Sequence, residues 1–205
     1  MDAIGREPFL AEWTYAMDVK LVTVGDFGCG KSCLLYVYGS NEFPLGASPT
    51  VSDSMTKSIS VDGKLANLTV LDTAAQEEYD RLRSLQYPGT NVIVMCFSVD
   101  SPESFKNIRA KWVPEIKHFC RNVPIILVGN KEDLRHDMAR LEELNKMNEA
   151  LITPEEGQAM AKKIKAFAYL ECSAKRNNGV QDVFETAVKA AFHARETKNT
   201  GCILF

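Results

Sequence analysis

Two kinds of hydrophobic pattern alternate along the chain. "VKLVTVG" (19–25), "NVIVMCFSV" (91–99) and "PIILVGN" (124–130) are nearly continuous apolar runs bounded by turn residues. Runs of that length predict strands buried on both faces of a parallel sheet. "TKSISV" (56–61) and "LANLTVLD" (65–72) instead alternate around Asp62-Gly63, a strong hairpin signal. "AYLEC" (168–172) predicts one further short strand.

Between these runs the period changes to that of helices. "KSCLLYVYG" (31–39) predicts a helix ending at Gly39. Ser101-Pro102 supplies a cap and a first-turn proline to a helix that keeps Phe105, Ile108, Trp112, Ile116 and Phe119 on one face. Met138, Leu141, Leu144, Met147 and Leu151 recur at helical spacing among charges, which predicts an amphipathic helix over about 137–151. Thr153-Pro154-Glu155-Glu156 is a capping box opening the next helix. The last helix, from about 180, aligns Val180, Val183, Phe184, Ala187, Val188 and Ala191. Residues 40–55, with Pro44, Gly46 and Pro49, read as a loop, and residues 1–17 as an extension without a period. The organisation expected is an extension (1–17), one domain (18–192) and a tail (193–205). Strands alternating with helices make that domain α/β, with a mostly parallel sheet whose ligands bind at the carboxyl ends of its strands.

Composition narrows this little. The 205 residues suit one core, and 45% hydrophobic with 25% charged content is ordinary for a globular chain. A net charge of −3 gives no basic field for nucleic acid. The six cysteines show neither paired metal spacing nor a disulfide framework, and no apolar run approaches the ~20 residues of a membrane-spanning helix. "MDAIGREPFLAEW" lacks an apolar signal core, so a reducing cytosol is the expected compartment.

The chemistry is concentrated in three loops. Gly25-Asp26-Phe27-Gly28-Cys29-Gly30-Lys31-Ser32 has the full phosphate-loop spacing, placed strand–loop–helix as that motif requires. Main-chain N–H groups of Gly28, Cys29, Gly30, Lys31, Ser32 and Cys33 would hold phosphate oxygens. Lys31 would reach the outer phosphates and Ser32 a Mg²⁺ ion. Asn130-Lys131-Glu132-Asp133 follows a buried strand, and Asp133 there would accept from guanine's N1–H and 2-amino group. Ser173-Ala174-Lys175 follows another strand and offers backbone donors to the base oxygen.

With these motifs the chain resembles a small GTPase of the Ras superfamily, and within it the Rho family. The Rho-like stretches are "EEYDRLRSLQYPGT" (77–90), "MCFSVDSPESF" (95–105), "KWVPEIKHFC" (111–120), "VPIILVGNKEDLR" (123–135) and the helical insertion at 137–151. The match covers about 18–205. It implies a P-loop small G domain: a six-stranded mostly parallel sheet flanked by helices, with a Rho-type insert helix. It also implies a GTP/GDP switch that uses Mg²⁺. By the same resemblance Thr50 closes on Mg²⁺ and the γ-phosphate, Phe43 packs on the guanine edge, Asp72 reaches Mg²⁺ through water, and Gln76 orients the attacking water. Lys31, Thr50 and Gln76 are then the catalytic set. Effectors, exchange factors and a solubilising GDP-dissociation inhibitor are the implied partners of a monomer.

Four departures stand out. Phe27 and Ala75 occupy positions where the family has glycine: one beside the γ-phosphate, the other with an N–H that meets it. Leu45-Gly46-Ala47-Ser48 lacks an aromatic that usually covers the phosphates, and Ser52, Asp53 and Ser54 replace larger side chains at the usual effector surface. The terminal Cys202-Ile203-Leu204-Phe205 fits a prenylation box in which phenylalanine favours geranylgeranyl. Lys189, Arg195 and Lys198, opposed by Glu196, make a thin second anchor, so reversible attachment to the cytoplasmic face of the plasma membrane is expected. By the same resemblance Phe27 and Ala75 are expected to weaken GTP hydrolysis while GTP binding is kept; the alternatives are a fully cycling GTPase with normal hydrolysis and a response to activating proteins, and a phosphate-loop kinase or ATPase, which the guanine motif opposes.

Overall fold

The computed structural model describes residues 16–44 and 52–200, without the side chains of 52, 53, 77 and 198–200. Residues 1–15, the Leu45–Ser48 stretch, Thr50 and Cys202 lie outside the described residues. Six strands form one sheet in the order β2-β3-β1-β4-β5-β6. They are β1 (Met17–Gly25), β2 (Ser52–Val61), β3 (Lys64–Thr73), β4 (Val92–Ser98), β5 (Ile125–Asn130) and β6 (Ala168–Cys172). Only the β2–β3 pair is antiparallel. Its turn places Asp62 at φ 51° and Gly63 at φ 77°, the conformation that the Asp-Gly pair favours.

The apolar runs follow from two-sided burial. Along β4, Val92, Val94 and Cys96 enter one core while Ile93, Met95 and Phe97 enter the other. In β5, Ile126 and Val128 oppose Ile125 and Leu127 in the same way. One core is covered by α1 (Lys31–Ser40) and α7 (Val180–Thr200), and its Tyr38 ring stacks on Phe184 at 3.7 Å. The other is covered by α3 (Pro102–Asn107), α4 (Val113–Phe119) and α6 (Pro154–Ile164). The α6 capping box is complete: Thr153 Oγ1 accepts from Glu156 N, and Glu156 Oε2 accepts from Thr153 N.

Local differences from the sequence reading have physical reasons. Strand β2 begins at Ser52, inside the stretch read as loop, because backbone pairing with β3 runs to Ser52–Thr73. The single helix expected after Pro102 is α3 and α4 joined by a π-helical turn, Ile108–Trp112. That turn carries Ile108, Trp112 and Ile116 fully into the core, whereas Phe119 stays half exposed against Tyr87. The helix expected over 137–151 is α5, Met138–Lys146, capped by the Asp137 carboxylate. Of its apolar positions only Leu144 is buried; Met138 and Met147 are 69% and 58% exposed. The chain leaves it through Asn148 at φ 55°. Helix α7 runs on to Thr200, through much of the stretch read as tail, because no glycine or proline precedes Gly201. A 3₁₀ turn, Glu77–Tyr79, and the five-residue α2, Asp80–Ser84, had no periodic signal.

Candidate functional site

Strands β1 and β4 are neighbours whose onward connections run to opposite sides of the sheet, and the phosphate loop lies at that switch point. Gly25 ends β1 at φ 146°, and a Cβ there would stand 2.2 Å from the Cys96 carbonyl oxygen. The loop can therefore leave the sheet at this point only through glycine. At the other end Gly30, at φ 99°, opens α1 without a side-chain cap. Its first N–H groups thus face the loop with no side chain to satisfy them, the ordinary setting for a bound phosphate. A Cβ built on Gly28 meets nothing within 4 Å, so the loop encloses open space. Lys31 is buried and curls over the loop, its Nζ donating to Gly25 O at 2.8 Å and Asp26 O at 2.9 Å. Ser32 sits exposed on the first turn of α1. The cradle, the ammonium and the hydroxyl fit a nucleotide's phosphates together with a divalent cation.

The two loops expected to read the base converge beside this cradle. Asn130 Nδ2 donates to Cys29 O at 2.9 Å, which ties the end of β5 to the phosphate loop. The Cys172 thiol, at the end of β6, donates to Asn130 Oδ1 at 3.1 Å. Asp133, in the 3₁₀ turn Glu132–His136, accepts from the Ser173 hydroxyl at 2.6 Å. Ser173 is itself held by a backbone bridge to Asn178. The result is a cavity of about 140 Å³. Asn130, Lys131 and Asp133 line one side, Gly30 and Cys33 the phosphate end, and Phe43, Ala174 and Lys175 the remainder.

Asp72, one residue before the end of β3, lies on the other flank, buried, with its Oδ1 accepting from Thr23 Oγ1 at 3.2 Å. Ala74 and Ala75 follow, both buried, and Ala75 packs into the core under α3 and α4. Gln76 comes next, and its Oε1 is buried with no hydrogen-bond partner among the described residues. Phe27 is the opposite case: its ring is 66% exposed on the phosphate loop. Neither Phe27 nor Ala75 has a positive φ, so neither position needs glycine for its backbone here. Burial pushes up the thiols of Cys29, Cys33 and Cys96, and that of Cys172 to about 12. They behave as small apolar groups, with no thiolate at neutral pH.

Two networks had no counterpart in the sequence reading. Asp26 turns its carboxylate away from the loop: Oδ1 accepts from Trp112 Nε1 and Oδ2 from Asn107 Nδ2, both at 2.7 Å. Arg83 is wholly buried, donating to Glu115 at 2.7 and 3.0 Å, to Asp80 at 2.5 Å and to Ala74 O at 2.8 Å. Tyr87 donates its hydroxyl to the same Glu115, and burial beside that carboxylate pushes the phenol far up. A buried indole N–H and a buried guanidinium each require a partner, but that requirement does not name Asp26 or Glu115. Residues 20–193, the span carrying the phosphate loop, the Asp72–Gln76 stretch and the loops at Asn130–Asp133 and Ser173–Lys175, match the model of the Ras family. The chain belongs to that family of GTP-binding small GTPases.

Proposed function

We propose that this protein is a Rho-type switch that binds GTP and GDP with Mg²⁺ and hydrolyses GTP slowly. The observation that carries the slow step is the contrast between Phe27 and Ala75. The Phe27 ring stands largely in solvent on the phosphate loop, outside both core clusters, while the Ala75 methyl is buried in the core beneath α3 and α4. Hydrolysis requires water to attack the γ-phosphorus as the bond to the β–γ bridging oxygen breaks, giving GDP and phosphate. Gln76 positions that water, and an arginine from an activating protein, worth roughly 10³–10⁵ in rate, has to approach beside it. A ring at position 27 would have to move aside for that approach. The methyl restricts the backbone at the residue before Gln76. Ser32, Thr50 and, through water, Asp72 would hold Mg²⁺, which would supply neutralisation of the phosphate charge. Lys31 does the same from the loop, and Asp133 with Lys131 selects guanine.

Effector signalling at membranes through a geranylgeranylated Cys202 belongs to the same proposal. It rests on the Cys-Ile-Leu-Phe sequence and the Rho-like stretches. The second reading is a fully cycling GTPase, favoured by the retained Gln76, whose Oε1 has no hydrogen-bond partner among the described residues. Single-turnover hydrolysis separates the two. The double variant Phe27→Gly with Ala75→Gly should cleave GTP faster than the unmodified chain, by tenfold or more once a Rho-type activating protein is added. Equal rates in the two proteins would establish the cycling reading.

A further inference from the structure

A carboxylate in a phosphate-binding loop needs an explanation. Asp26 lies five residues before Lys31, and its own carbonyl oxygen already holds the Lys31 ammonium at 2.9 Å. A rotation of its side chain toward the ammonium would set an anion against the one loop cation that phosphate requires. The structure prevents this rotation with two donors from a different element. Trp112 Nε1 and Asn107 Nδ2, both 2.7 Å from the carboxylate, each engage one of its two oxygens and hold them toward α3 and the π-helical turn. Trp112 is fixed in turn. It is fully buried at the end of the π-helical turn, with the Arg83 guanidinium and the Lys111 ammonium each 5.0 Å from its ring. Asn107 closes α3 immediately before that turn.

From this geometry we infer that Trp112 and Asn107 are positioning residues for nucleotide binding: they hold the Asp26 carboxylate off Lys31, leaving the ammonium for phosphate. The inference rests on the phosphate-loop reading above and adds a charge-specific cause. A clamp that merely stiffened the loop would be needed whether residue 26 were charged or neutral. A clamp that restrains an anion becomes dispensable once the anion is removed. Charge-assisted hydrogen bonds of this kind are strong enough that losing one corresponds to about tenfold or more in an equilibrium.

The test is calorimetric titration of the full chain, in Mg²⁺, with GDP and with a non-hydrolysable GTP analogue. The unmodified protein is measured first; failure to bind either would sink the nucleotide reading itself, separately from this inference. Trp112→Phe keeps the ring and removes the N–H, and should weaken the GTP analogue by about tenfold. Adding Asp26→Asn to that variant should restore affinity to within about twofold, since the neutral amide cannot pair ionically with Lys31. Asn107→Leu, alone and with Asp26→Asn, repeats the comparison at a half-buried site should Trp112→Phe compromise folding. Unchanged affinity in the single variants would overturn the inference. So would a loss that Asp26→Asn leaves in place, because the clamp would then be structural only.

Discussion

Ser173 donates its hydroxyl to Oδ1 of Asp133, and that bond sets which oxygen can face the base. In Asp133→Asn the amide oxygen takes the place beside Ser173, and the NH₂ group turns toward the cavity. There it meets the N1–H and 2-amino donors of guanine, whereas xanthine offers a C2 carbonyl. Affinity for GTP should fall by at least about 10²-fold while that for xanthosine triphosphate rises, as titration with both nucleotides will show. Unchanged GTP binding would remove Asp133 from the site. At this scale the sequence was legible wherever a residue acts through its own backbone or spacing, as in the phosphate loop and its glycines. It was silent on Asp26, because the partners at positions 107 and 112 lie 81 and 86 residues away. No local pattern distinguishes a carboxylate that faces phosphate from one turned aside.

Among the elements, α5 is tied to the body through Asp100, which follows β4. Arg140 Nε donates to the Asp100 carboxylate at 2.8 Å and its Nη2 to the Asp100 carbonyl at 3.3 Å, while Lys131 Nζ stands 4.0 Å away. Burial by itself would raise the Asp100 carboxyl, but the Ser98 hydroxyl, Lys131 and Arg140 outweigh it and hold it below 3.8. A depressed carboxyl contributes stability above its unfolded-state value and loses it as pH falls through the lower folded-state value. Asp100→Asn should therefore cost about 1 kcal/mol at pH 7, a deficit that narrows as pH falls below 3.8. Urea denaturation at the two ends of that range measures it; a deficit of constant size would show that charge plays no part. Periodicity found α5 but overextended it, since Met138 and Met147 satisfy the helical pattern while standing in solvent. The π turn escaped notice for a related reason. The spacing of Phe105, Ile108, Trp112, Ile116 and Phe119 fits an ordinary helix almost as well as one with an inserted residue.

For the molecule as a whole, membrane residence should depend on Cys202. Helix α7 engages two of its charged side chains with the β2–β3 hairpin: Lys189 with Asp62 at 3.2 Å and Glu196 with Lys64 at 2.6 Å. Lys189 is thereby drawn toward the hairpin, so under the proposed lipid attachment it would add little basic charge beside the tail. Cys202→Ser should shift the protein to the soluble fraction on cell fractionation, and a variant still found on membranes would contradict the lipid assignment. The sequence by itself determined the alternation of buried strands and helices, the phosphate-loop spacing, the position of the loops after β5 and β6, and the family they belong to. Each of these is written in short-range periodicity or in the special backbone of a few adjacent residues. Tertiary structure alone decided that Asn130 would hold the phosphate loop through Cys29, that Arg83 would be buried on Glu115, and that Trp112 would restrain Asp26. Those pairings join residues 32 to 101 positions apart, brought together only when the sheet order places β4 beside β1 and β5 beside β4.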